Sequence, residues 1–149
     1  SVAWHSLFSE MIADQMGLPI KTRLQALLHD APEYVMGDSV TPVKVLLSDF
    51  GPIESGLWAA IATKYGVPVE FAPEVHQIDR LALDCERDAI GVPGDWDPAP
   101  VVPDEWRAVV DKWFAFWAAN ALKPRLDAHL FIARAKALIS ARRDELGVC

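Results

Sequence analysis

Five residues that could do chemistry crowd into one stretch, "LLHDAPEYVMGDSVTPVK" at 27–44: His29, Asp30, Glu33, Asp38 and Lys44 follow the apolar Leu24, Leu27 and Leu28. A carboxylate at a helix C-terminus opposes the macrodipole, so Asp30 is poorly placed for helix stability alone. A divalent cation would compensate it and would also account for His29. Imidazole and carboxylate suit zinc, manganese, iron and cobalt. Adjacent helical residues point about 100° apart, so both can reach one ion only near the helix end. Further ligands must then come from other helices.

His5 can supply one from the first helix, although taken alone it reads as a structural histidine. In "EVHQIDRLALDCERDAI" the expected buried face is Val75, Ile78, Leu81, Ala82, Cys85 and Ala89. Asp79 lies at its margin, where an unpaired charge is costly. By spacing, Asp84, Glu86 and Asp88 read as solvated charges and His76 as a surface residue.

The elements that must position these groups are helical. Val2, Leu7, Phe8, Met11, Ile12 and Met16 follow a helical period over 2–16, which Gly17 stops and Pro19 keeps from restarting. Thr22 is the expected N-cap of a helix over 23–30. One turn over 34–37 breaks at Gly37. Thr41 and Pro42 have the pattern of a helix start. Helices are predicted over 54–65, from just after Pro73 to about 90, over 104–120 and over 124–146, with a Pro/Gly-rich loop over 91–105. The one strand candidate, "VPVEF" at 67–71, is short and holds a proline. The expectation is an all-α, single-domain bundle of about six to seven helices. Trp106, Trp113 and Trp117 share a helix face that fits the core or a subunit interface.

Bulk properties narrow the functions. The chain has 149 residues, enough for one buried core, and 52% of them are hydrophobic. No apolar run approaches the roughly 20 residues that span a membrane, and no secretory signal opens the chain. Ser1 is not an initiator methionine. Cys85 and Cys149 lie far apart, which argues against a disulfide framework and fits a reducing, cytoplasmic setting. A formal charge of −7 argues against nonspecific nucleic-acid binding. A small phosphorylated ligand remains compatible, provided a metal or a few basic residues supply local positive charge.

The run HDxxE…GD…TPxK, with "SVAWHS" before it and "IDRLALDCE" after it, resembles the HD-domain metal-dependent phosphohydrolases. Within them it is most similar to the branch of bacterial 5′-deoxynucleotidases and phage deoxynucleoside triphosphohydrolases. The likeness covers residues 1–44 and about 76–90. It implies that His5, His29, Asp30 and Asp79 hold one divalent metal (Co, Mn, Zn, Fe, Ni or Mg). Glu33 would position water or act as acid/base, Asp38 would contact the sugar side or the nucleophile, and Lys44 would lie near the phosphate. Glu86 would stand behind the ligands. A homodimer is also implied. The Arg-containing segment that usually precedes the first histidine in this branch is absent from the four residues before His5, and Trp4, inside the helix, does not replace it.

Three activities are compatible with this pattern. They are release of phosphate from deoxynucleoside monophosphates, release of triphosphate from a dNTP, and metal or nucleotide binding without turnover. The intact ligand set and Glu33 favour hydrolysis.

Overall fold

The computed structural model describes residues 1–37, 44, 46–91, 102, 104–123 and 125–147. The expected helix start at Thr41 and Pro42, the site residue Asp38, Cys149 and nearly all of the loop over 92–103 lie outside the described residues. The chain is all-α, a single-domain helical bundle. The helices whose bounds lie among the described residues are α1 (Val2–Gln15), α2 (Ile20–Leu28), the single turn α3 (Glu33–Met36), α4 (Phe50–Tyr65), α5 (Pro73–Ile90), α6 (Asp104–Asn120) and α7 (Leu126–Leu146). No strand occurs among the described residues.

Several boundaries differ from expectation for local reasons. Helix α2 begins at Ile20, and Thr22 lies buried inside its first turn instead of capping it. Pro19 does not block the helix. Its carbonyl accepts from the Thr22 and Arg23 amides at 2.9 and 3.0 Å, so the proline itself opens the helix. Helix α4 starts at Phe50, four residues early, because Pro52 falls in the first turn where a missing N–H costs nothing. The 67–71 segment is a loop. Side chains satisfy its carbonyls instead of a partner strand: Gln25 donates to Pro68 and Glu70 at 2.8 and 2.9 Å, and Trp58 to Val69 at 2.6 Å. Gly37, at φ 83°, turns the chain sharply after α3, a backbone angle that favours glycine.

Helices α1 and α2 lie at the centre. Phe8, Ala13, Leu24, Ala26 and Leu27 are fully buried. One cluster joins Trp4, Leu7, Leu24, Leu27 and Leu28 to Trp58 of α4 and Leu138 of α7. A second joins Phe8, Ile12 and Ala26 to Ile78, Ala82 and Cys85 of α5. The buried face of α5 is as expected at Val75, Ile78, Ala82 and Cys85, whereas Ala89 is exposed. Helix α6 lays Trp113 flat on Phe8 at 5.6 Å and against the edge of Trp4 at 5.7 Å. No residue of α6 is fully buried, so its aromatic face covers the core from outside.

A buried ion network ties α1 to α2 and α7. Glu10 is 2% exposed and accepts from Arg23 at 2.8 Å and from Arg134 at 2.6 Å. The same arginines reach Asp14 at 2.7 and 3.2 Å. Without the buried Glu10 carboxylate, both arginines would share the more exposed Asp14 alone. Glu10→Ala is therefore expected to lower unfolding free energy by about 3 kcal/mol, read from urea denaturation. A loss under about 1 kcal/mol would show the network to be screened like a surface pair.

Candidate metal centre

Three elements bring four side chains together. His5 comes from the first turn and a half of α1, and Asp79 from the middle of α5. His29 and Asp30 sit in the turn that follows α2, still near helical geometry at His29 (φ −57°, ψ −37°). The adjacent pair can thus face one point, as a helix-end position requires.

Donors of His5, His29 and Asp79 converge, and Asp30 stands beside His29. His5 Nε2 lies 3.0 Å from Asp79 Oδ1 and 3.8 Å from Asp30 Oδ2. His29 Nε2 lies 3.2 Å from Asp30 Oδ2 and 3.5 Å from Asp79 Oδ1. Ligands held at metal distances near 2.1 Å stand roughly 3.0 to 3.4 Å apart across a coordination polyhedron. Three of these four separations lie close to that range. The nitrogens of His5 and His29 and a carboxylate oxygen of Asp79 all lie within 4.8 Å of one another.

Tautomers sharpen the case. His29 Nδ1 is 2.8 Å from the Ala26 carbonyl, which can only accept, so Nδ1 carries the proton. In the neutral ring Nε2 is then an acceptor. It is buried and has no hydrogen-bond partner, although two carboxylates stand near it. His5 differs in that both ring nitrogens face carboxylates, Nδ1 toward Glu86 Oε2 at 3.1 Å and Nε2 toward Asp79 Oδ1 at 3.0 Å. Lone pairs facing carboxylates repel unless a proton or a cation lies between them. The electrostatics say the same. Burial alone would lower both histidine pKa values, but the Asp79 and Glu86 contacts lift His5 to about 9. The facing Asp30 and Asp79 carboxylates lift His29 to about 10. Burial would raise Asp30 and Asp79, and the histidines outweigh it and hold both below the usual carboxylate range. The cluster thus calls for positive charge at its centre, supplied by protons on the two rings or by a divalent cation, and the donor types fit the latter.

Of the remaining expected residues, Asp38 lies outside the described ones and the others differ in their partners. Glu86 does not behave as a solvated charge, since it holds His5. Asp84 is also not solvated, with a side chain 10% exposed and paired to Arg80 and Arg87. Lys44 bridges Glu33 at 2.9 Å and Glu54 at 3.1 Å, so its ammonium is committed to two carboxylates. A cavity of about 480 Å³ opens beside the cluster, with His29, Asp30 and Asp79 in its wall. Its other walls come from groups that sequence spacing did not single out, including Glu54, Trp58, Phe71 and His76. Trp58 and Phe71 stack at 4.3 Å. Their pairing joins α4 to the loop before α5, a contact with no local signature.

No family model matches the chain. It is 44% identical over 71 residues to an uncharacterized protein of Rhodobacter capsulatus, covering 46% of this chain and 36% of that protein. It is 33% identical over 92 residues to the uncharacterized protein YfdR of Escherichia coli, covering 62% of this chain and 49% of YfdR. The matched region thus spans less than half the length of either curated relative.

Chelator-treated protein titrated with Mn²⁺ or Zn²⁺ is expected to take up one ion per chain, with a rise in the thermal midpoint. Asp79→Ala should abolish the rise. Glu86→Ala should weaken uptake by roughly 10- to 100-fold, the usual effect of losing a group that orients a ligand histidine. Calorimetric titration reads both, and undiminished uptake by Asp79→Ala would refute the site.

Proposed function

We propose that this chain is an HD-type, divalent-metal-dependent phosphohydrolase acting on nucleotides, most directly on the 5′-phosphate of deoxynucleoside monophosphates. One observation carries the reading: His5, His29 and Asp79 donors converge, with Asp30 beside His29, and three of the four (His29, Asp30 and Asp79) line a cavity whose volume suits a small-molecule ligand. The sequence resemblance supplies the reaction class.

A divalent cation bound there supplies Lewis acidity toward water and toward a phosphoryl oxygen. The protein groups have separate tasks. Ala26 and Glu86 fix the two imidazoles so that their Nε2 atoms point inward. Asp30 and Asp79 set the charge of the centre. Glu33, three residues after Asp30, would be the group to take a proton from the attacking water and return one to the leaving 5′-oxygen. Lys44, bonded to it at 2.9 Å, holds that carboxylate in place and links it to Glu54 at the cavity wall.

The test is a product assay on protein loaded with Co²⁺, Mn²⁺ or Mg²⁺, offered separate panels of dNMPs, NMPs and dNTPs, with Asp30→Ala as control. Inorganic phosphate from dNMPs is expected, with at least a 100-fold loss in the variant, on the order of removing a principal catalytic group. Triphosphate from a dNTP would reassign the chain to triphosphohydrolase chemistry. Metal and nucleotide binding without any product would make it a binding module.

A further inference from the structure

The cavity beside the metal centre is acidic. Besides Asp30 and Asp79, its walls carry Glu54 and Glu70, and no lysine or arginine is among the described residues lining it. A phosphate in that space needs hydrogen-bond donors as well as a cation, since ionised carboxylates only accept. The Trp58 N–H is spent on the Val69 carbonyl at 2.6 Å. His29 gives its Nδ1 proton to Ala26. The described side-chain donors that remain in the lining are His76 and the Ser55 hydroxyl.

Position separates those two. His76 lies three residues before Asp79 on α5, so the two side chains share a face one turn apart. Buried Val75 and Ile78 pin that turn to the core on either side. The His76 ring meets Phe71 edge-on, with centroids 5.6 Å apart and planes at 70°, which holds it at the cavity rim. No hydrogen bond to another described residue engages its nitrogens.

We propose that His76 is a substrate-binding residue of this site, its imidazole N–H donating to an oxygen of a phosphate group seated between the metal centre and the aromatic wall. The assignment deepens the phosphohydrolase reading and rests on its metal-plus-phosphate geometry, but not on turnover. Sequence spacing alone leaves His76 as a surface residue. The cavity gives it a chemical task that no other described lining residue on α5 can perform.

The probe is inorganic phosphate, titrated calorimetrically into Mn²⁺-loaded protein at one pH. His76→Phe keeps the ring contact and removes the N–H. His76→Gln keeps an N–H at similar reach and loses the ring. Ser55→Ala removes the other donor. His76→Phe is expected to weaken phosphate binding about tenfold, the loss of one hydrogen bond to a charged oxygen. His76→Gln should recover most of it, Ser55→Ala should stay within about twofold, and Mn²⁺ affinity should not move in any variant. Unchanged phosphate affinity in His76→Phe overturns the proposal. So does an equal loss in Mn²⁺ affinity, or an absence of phosphate binding by the loaded parent. Nucleotide hydrolysis is measured on the same samples. No turnover by the parent, with phosphate binding still sensitive to His76, removes the enzyme reading and leaves this one standing.

Discussion

Two imidazole nitrogens and two carboxylates turned toward one point form an arrangement that cannot stand as neutral rings beside anions. Something positive must occupy the centre, either protons on the rings or a metal ion. The same fact explains why the histidine pKa values are raised despite burial and why both aspartates are depressed. A burial effect alone would move every one of these groups in the opposite direction. The rest of the fold can be understood as what keeps this unfavourable cluster from relaxing.

That constraint falls on α1 and α2. His5 is one turn into α1, and His29 is the first residue past α2, so any slip between these helices opens the cluster. Two devices prevent it. The fully buried residues of both helices interlock with α4, α5 and α7. The Glu10 carboxylate clamps Arg23 of α2 and Arg134 of α7 against α1. Backbone geometry then finishes the work locally. The His29 Nδ1 bond to Ala26 lies within the last turn of α2, so the ring is oriented by the helix that carries it.

The parts of the site legible in the sequence were those whose chemistry conflicts with their local setting. Asp30 opposes a helix dipole, Asp79 sits at an apolar margin, and both histidines adjoin core residues. Helical periodicity likewise placed most helices within a few residues of their observed bounds. What stayed illegible depends on contacts between distant segments. Glu86 looks solvated by the spacing of its own helix, and only the family resemblance placed it behind the ligands, because its role depends on His5, 81 positions earlier, docking against it. His76 and Phe71 look like surface and strand until Trp58 stacks on the loop. Pro19 misleads for a different reason: its missing N–H suggests a break, whereas its carbonyl is what starts the next helix.

Charge gives the site its selectivity on the proposed reading. The chain carries a formal charge of −7, and the cavity adds Glu54 and Glu70 to the two aspartates of the cluster. An anionic ligand entering without a metal ion would meet four carboxylates in the lining, opposed only by the protonated imidazoles of the cluster. With a divalent ion in place, the cluster of two aspartates and two neutral histidines becomes neutral overall, and attraction is confined to the ion and the donors beside it. Metal and phosphate then bind with positive linkage, because each is favoured by the charge the other brings. The same acidic walls disfavour anions that cannot reach the ion. The long Lys44 side chain, held between Glu33 and Glu54, neutralises part of the wall without supplying a free ammonium. On the proposed reading, a phosphate would pass the Phe71 and His76 rings on its way toward Asp79.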